Sequence, residues 1–265
     1  MNILRPILYF LIRLYSWPFR FPMVLKVTFQ KLRRDTFWNY YDNVFLLDYP
    51  HIKRACSLIK SEKNPIVFDI GGGQGTTLKL FREELPHAQV ELFEPISSNF
   101  KIIKDQFGGN KGIKLNQLAL GHEEGETTIH IADRVTSSSL LELNPEAHEK
   151  GSYLADALKP VREESIQVKR VESFIKQYEK IHLMKLDVQG FELNVLKGAG
   201  EELKKVKYII MEVSNHDGYS GAPLYHEIDA WMRENNFELA DLFPGIKESG
   251  FLKEWDCIFL NKLWK

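Results

Sequence analysis

From residue 65 to the end of the chain, short apolar runs alternate with amphipathic stretches, and this alternation limits the fold more than any other feature. Residues 65–70, 88–94, 113–120, 181–188 and 206–213 read as strands, with the helical spacing of 77–84, 98–107, 171–178, 191–199 and 224–235 between them. Gly198 or Gly200 supplies a stop for the fourth of these helices. The last two apolar runs, "FELADLFP" and "DCIFLNK", predict a closing antiparallel pair. Strands separated by helices imply an α/β fold: a mostly parallel sheet with helices on both faces and a C-terminal antiparallel hairpin. In such a sheet a ligand sits beyond the carboxyl ends of the strands.

The stretch "VFDIGGGQGTT", residues 67–77, lies at the end of the first strand and opens the first helix. Gly71 and Gly73 allow positive φ and close approach of a ligand to the backbone, and Gly75 lets the helix start pack against the strand. The spacing is G-x-G-x-G, unlike the G-x-G-x-x-G of dinucleotide binders. Asp69 directly precedes the glycines, where it repels a pyrophosphate and suits a ligand with an amino group and a sulfonium. The second strand ends at Glu94, placed to accept hydrogen bonds from a ribose diol, and Leu118 and Ala119 after the third strand offer an apolar wall for an adenine ring. Taken in order, these features point to S-adenosylmethionine.

Residues 1–64 precede the alternation and read as a basic, aromatic helical extension and cap, with 65–265 as the S-adenosylmethionine-binding domain. Formal net charge is −1 for the whole chain and +7 for residues 1–34, which hold seven Lys or Arg and no acid, so the remainder carries −8. The near-zero total gives no case for nucleic acid. The longest uncharged apolar run in the extension spans seven residues, 6–12, against the roughly 20 that a spanning helix needs. Seven aromatic residues mixed with the basic ones fit an interfacial segment on an anionic membrane; the alternative is packing on the domain or in a homodimer. Within residues 35–64, Ile52, Ala55, Cys56 and Ile59 fall at helical spacing. Cys56 and Cys257 are far apart and form no metal-ligand pattern, which fits a reducing, cytoplasmic compartment.

"MKLDVQGFELNVLKGA", residues 184–199, resembles the signature of the FkbM family of S-adenosylmethionine-dependent methyltransferases, roughly K-x-D-x-E-G-x-E-x-x-V-L-x-G-A. "FDIGGGQGTTLKLF" and "ELFEPISSNF" resemble the family's first two motifs, and the likeness covers about residues 65–262. Gln189 stands where the family commonly has Glu. The resemblance implies a seven-stranded Rossmann-like methyltransferase fold and O-methylation of a hydroxyl, often on a sugar or a secondary metabolite.

Methyl transfer to a hydroxyl needs an aligned acceptor and a group that takes its proton. Asp187, at the end of the fourth predicted strand beside the cofactor site, is the first candidate base, or binds the cofactor and positions its methyl group and the acceptor; the competing reading is a helix cap. His216, on the loop after the fifth strand, is the second candidate. Glu192 serves either the helix dipole or the methionine amino group. Asp187 and Glu212 could face one another across adjacent strands, though no metal is expected. Lys185 is expected to pair with an acid. The serines of residues 137–139 and Tyr219 and Tyr225 could contact substrate hydroxyls or a sugar ring, or belong to ordinary loops. The combined expectation is an O-methyltransferase acting on a hydroxyl of a glycan or lipid-linked saccharide. The rivals are a methyltransferase for a soluble secondary metabolite, a non-catalytic S-adenosylmethionine-binding module and a nicotinamide oxidoreductase.

Overall fold

The computed structural model describes residues 49–132, 138–142, 144, 160–216, 218–245, 247–248 and 251–264. The basic extension, residues 1–34, and part of the serine-rich segment, residues 133–137, lie outside them. All the described residues belong to one compact unit that begins at Tyr49.

Helix α1 (Pro50–Ile59) opens the unit with proline in its first turn, where a missing N–H costs nothing. Ile52, Ala55, Cys56 and Ile59 are its buried stripe, as their spacing predicts. Then follow β1 (Ile66–Ile70), α2 (Thr76–Glu84), β2 (Gln89–Phe93), α3 (Ser97–Phe107) and β3 (Ile113–Asn116). Next come β4 (Ala119–Gly121), β5 (Gly125–Ala132) and β6 (Pro160–Arg170). The second half holds α4 (Glu172–Ile175), β7 (Ile181–Leu186), α5 (Glu192–Lys197), β8 (Val206–Ser214), α6 (Tyr225–Glu234) and β9 (Phe237–Pro244). A short hairpin of β10 (Lys247–Glu248) and β11 (Phe251–Leu252) precedes β12 (Glu254–Asn261).

The main sheet has seven strands in the order β3-β2-β1-β7-β8-β12-β9. Pairings from β3 to β8 are parallel, and β12 pairs antiparallel with both β8 and β9. The closing antiparallel pair is therefore present. The predicted third strand divides: 113–116 stay in the main sheet, while β4 joins a separate three-stranded sheet, β4-β6-β5. Sequence alternation did not separate the two because Leu115 and Leu118 sustain the apolar pattern across the turn. The helix expected over 171–178 is also shorter, confined to α4.

Strand alternation sends successive residues to opposite faces, so two cores form. Phe68, Ile70, Met184 and Leu186 meet Val195 and Leu196 of α5 and Ile228 and Met232 of α6. Val67, Val90, Leu183, Ile210 and Ile258 meet α1 and Leu78 and Phe81 of α2. Each fully buried large apolar side chain contributes roughly 1.5–3 kcal/mol. The strand order reverses between β1 and β7, a topological switch point whose carboxyl edge is the expected ligand crevice. No helix among the described residues is long and apolar enough to cross a membrane.

Candidate active site

The turn after β1 is held from both sides. Gly71 and Gly72 donate backbone hydrogen bonds to the Phe93 carbonyl at 3.0 and 3.1 Å. Gly71 has φ +78°, and a Cβ there would sit 1.9 Å from the Asp187 carbonyl oxygen, so the β1 and β7 tips mesh with no room for a side chain. Gly73, at φ +53°, differs: a Cβ there would meet nothing within 4 Å, so the turn is open on that side. Gly75 starts α2 in a left-handed conformation, but the neighbours it admits are Phe107 and Ile103 of α3, not β1.

Glu94 braces this turn. Its Oε2 accepts from the Gly73 amide at 2.8 Å, and its Oε1 accepts from the Ile96 amide at 2.9 Å. It is nearly closed from solvent, and burial pushes its carboxyl up to about 7 despite those donors. Oε1 also accepts from Asn99 Nδ2 at 3.5 Å, so Oε2 is the oxygen that keeps a lone pair beyond its donor. Leu118 follows the tip of β3 and packs on the first core, while Ala119 begins β4 and is buried in the third apolar cluster.

Asp69 is fully buried and turned towards Lys185, whose Nζ lies 3.3 Å away. Lys185 also donates to the Gly71 carbonyl at 2.8 Å and reaches Asp187 Oδ2 at 3.4 Å. Burial opposes the ammonium, yet Asp187 and Asp69 outweigh it and hold the lysine above its ordinary range. Burial pushes Asp69 up while Lys185 pulls it back. With two acids to one ammonium, the lysine's charge is the secure one. Lys185 thus pairs with acids, as expected, and ties the glycine turn to the β7 tip.

At that tip Asp187 is the exposed acid, its side chain 46% accessible. It does not cap α5, whose first flanking residue is Phe191. Its Oδ1 instead accepts from Gln189 Nε2 at 2.9 Å. The same Nε2 donates to Glu212 Oε2 at 3.3 Å, and Gln189 Oε1 accepts from the Tyr219 hydroxyl at 3.1 Å. Gln189 adopts φ +53°, and its carbonyl accepts from Ser139 Oγ at 2.7 Å. Ser139 therefore supports the turn, and Tyr225 packs on Trp255 with ring centroids 5.0 Å apart.

Acids crowd this side. Burial first, then Glu254, Asp187, Asp256 and Glu192, hold Glu212 well above the ordinary carboxyl range. Burial pushes Glu192 up to about 7, and its Oε1 accepts from the Val188 amide at 3.0 Å. Burial likewise raises Asp256 to about 7, with Asp187 adding to it. His216 turns inward, its Nε2 3.3 Å from Glu254 Oε1, and shares a pocket with Gln189, Glu212 and Tyr219. His51 of α1 sits 3.5 Å from Asp256, and burial lowers its imidazole to about 4. Among the described residues, no group of three or more His, Cys, Asp or Glu is arranged to hold a metal ion. Sequence reasoning missed Glu254, Asp256 and His51, since only the antiparallel return of β12 and the packing of α1 bring them here.

The profile of the methyltransferase FkbM domain matches residues 69–239, from the acid before the glycines to β9. The chain belongs to the FkbM methyltransferase family. This FkbM protein is a methyltransferase that depends on S-adenosylmethionine. The 2-O-methyltransferase NoeI of Sinorhizobium fredii is 25% identical over 199 residues, covering 73% of this chain and 80% of that one. The methyltransferase sdnD of Sordaria araneosa is 24% identical over 202 residues, covering 66% and 74%. Among solved structures, the methyltransferase domain of bacterial CtHen1 aligns with a TM-score of 0.45 at 14% identity, covering 79% of this chain and 96% of that one. The open side of Gly73 and the remaining lone pair of Glu94 Oε2 suit the family's cofactor, with the turn lying at the switch point of the sheet.

Proposed function

We propose that this FkbM protein is an O-methyltransferase acting on a hydroxyl of a saccharide, in a glycan or on a lipid carrier. One observation carries the reading. Asp187 is the most accessible carboxylate of the cluster, its side chain 46% exposed against 27% for Asp256 and 23% for Glu254, and it is fixed at the rim by Lys185 and Gln189. The name of the NoeI relative, a 2-O-methyltransferase, supports the choice of oxygen as the atom methylated.

S-adenosylmethionine supplies an activated methyl group that needs no further activation from the protein. The chain's task is alignment and proton removal. Gly71, Gly73 and Gly75 shape the turn beneath the cofactor, Glu94 faces the ribose, and Leu118 and Ala119 flank the adenine. Asp69 works at one remove, by holding the lysine that fixes the turn. Asp187 orients the acceptor hydroxyl and takes its proton. His216, paired with Glu254, borders the acceptor pocket and is the alternative proton acceptor. The basic aromatic residues 1–34 provide peripheral contact with an anionic membrane, where lipid-linked acceptors reside.

Incubating the purified full chain with S-adenosylmethionine and a panel of saccharides, then reading methyl mass increments, tests the acceptor class. Methylation confined to non-saccharide hydroxyl compounds would overturn it. Vesicles containing anionic lipid should retain the full chain and release a variant lacking residues 1–34; equal retention would remove the membrane part.

A further inference from the structure

The three-stranded sheet reaches the rim of the main sheet through one serine. Its outer strand, β5, carries a further rung: His130 and Ser139 exchange backbone hydrogen bonds at 2.9 and 3.1 Å. Ser139 is closed from solvent, and its Oγ donates to the Gln189 carbonyl at 2.7 Å while accepting from the Leu141 amide at 3.0 Å. The same segment then meets the loop after β8. The Ser220 amide donates to the Glu142 carbonyl at 2.8 Å, and the Asn144 amide donates to the Gly218 carbonyl at 3.0 Å. Gly190 closes the ring. A Cβ on it would meet Ala222 at 3.0 Å, Leu141 at 3.3 Å and Tyr219 at 3.5 Å. Three segments distant in sequence thus lock together, and Gln189, Gly190, Gly218, Tyr219 and Ala222 from two of them line the pocket that His216 borders.

The hold acts on backbone. Gln189 stands at φ +53°, a conformation that a residue with a Cβ keeps only under restraint. The restraint is on its carbonyl, so it serves equally with Glu, which the family commonly carries at this position. The Gly71–Gly75 turn is held separately, by the Phe93 carbonyl and the Glu94 carboxyl.

We infer that Ser139 is a positioning residue for the acceptor: by fixing the Gln189 carbonyl it docks the segment from the small sheet against the loop after β8 and sets the wall of the acceptor pocket. This rests on the reading of that pocket as the acceptor's. Without the hydroxyl, the Gln189 carbonyl and the Leu141 amide both lose a partner, and the left-handed turn loses its restraint. The loop carrying Tyr219 and Ala222 then shifts, and a displacement of about 1 Å at a bound reactant costs on the order of 100-fold in rate. The departure of β4 from the main sheet gains a purpose here, since the small sheet it joins carries the segment that shapes the pocket.

The test compares S139A, S139T and L141A with the natural protein, each as the full chain. In S139A the Leu141 and Ser220 amides should exchange with solvent roughly 10-fold faster or more by NMR, while the Gly73 amide, bonded to Glu94, keeps its rate. The KM of the saccharide that the panel shows to be methylated should rise roughly 10-fold, and S-adenosylmethionine affinity by calorimetry should stay unchanged. S139T keeps the hydroxyl and should restore both exchange and KM. L141A keeps Ser139 but removes the contact with Gly190; it should raise the same KM by less, and it decides the matter if S139A does not fold. If exchange quickens while KM holds, Ser139 is only structural and the inference fails. It fails too if S-adenosylmethionine affinity drops as far as KM rises. If the natural protein methylates only non-saccharide hydroxyl compounds, the saccharide reading has failed instead, and KM for the methylated compound judges Ser139 in the same way.

Discussion

At the β1–β2 half of the sheet's carboxyl edge, the surface is shaped by glycines and backbone amides, with Glu94 accepting from two of them. At the β7–β8 half, it is shaped by side chains: Lys185, Asp187, Gln189, Glu212, Tyr219 and His216, with Glu254 and Asp256 arriving from β12. The first half is a rigid mould that any ligand with the same backbone-facing shape could fill. The second is a charged network whose geometry depends on several elements. Under the proposed function, the first half takes the cofactor, which is common to many enzymes, and the second takes the acceptor, which is particular to each.

Beyond the β1–β7 ladder, side-chain and close backbone contacts join the halves. Lys185 links Asp69 and the Gly71 carbonyl to Asp187, and Gly71 itself lies against the Asp187 carbonyl. Gly71→Ala should therefore give the largest effect of any change discussed. It places a Cβ at 1.9 Å from that carbonyl at φ +78°, so both halves must move. A loss of roughly 3 kcal/mol or more in unfolding free energy is expected, read by urea denaturation. Natural stability in this variant would break the claim that the halves are meshed.

Asp187→Asn separates the halves by function. Turnover should fall about 100- to 10,000-fold, the range for a lost general base. Cofactor affinity, measured by calorimetry, should stay near that of the natural protein because Asn keeps the shape and an acceptor oxygen. An affinity loss as large as the turnover loss would move Asp187 from the acceptor half to the cofactor half.

The architecture of the β1–β2 half was the more legible in sequence, for a physical reason. Glycine spacing and the strand-end acid Glu94 are local to two short segments, so their order along the chain mirrors their place in space. The alternation of strands and helices was legible for the same reason, and the apolar spacing in α1 gave its buried face directly. What was not legible came from distant pairing. β4 leaves the main sheet although its apolar pattern continues that of β3, and β5 and β6 supply its partners. Glu254 reaches His216 only because β12 returns antiparallel beside β8. Asp69 was read as facing a ligand, but the register Asp69↔Lys185 sends its carboxylate to a buried lysine.

Acidity tests whether the two halves carry the same kind of strain. Glu94 in one half and Glu192 and Asp256 in the other all stand at about 7 because of burial. Unfolded carboxyls titrate near ~4, so the folded chain retains protons that the unfolded chain has released. This contribution is fully present below the unfolded value and is lost as pH rises towards 7. His51, lowered to about 4 from 6.5, has the opposite sign and favours the fold less as pH falls through that window. Burial raises Asp69 and Glu212 as well and lowers His182 beside His51, so the acids outnumber the histidines and leave a net decline with rising pH. Unfolding free energy should be roughly 1–2 kcal/mol lower near pH 7.5 than near pH 5.5, after allowance for mutual screening. Glu94→Gln should shrink that difference, and an unchanged slope would place the whole effect in the acceptor half.

The smallest effect on the fold belongs to Gly73→Ala, and its contrast with Gly71→Ala is the sharpest probe of the mould. Both glycines have positive φ, and both would gain the same methyl group. At Gly73 that methyl meets nothing within 4 Å, so only the left-handed backbone conformation is penalised. That penalty is about 1 kcal/mol, and the Gly73 amide can still donate to Glu94. Urea denaturation without cofactor should therefore show a modest loss beside the large one at Gly71. Calorimetric titration with S-adenosylmethionine should show the reverse emphasis, an affinity loss well beyond the stability loss, because the methyl fills the side of the turn to which the proposed function assigns the cofactor. Equal cofactor affinity in Gly73→Ala and the natural protein would mean that the open side of this turn is not where the cofactor lies.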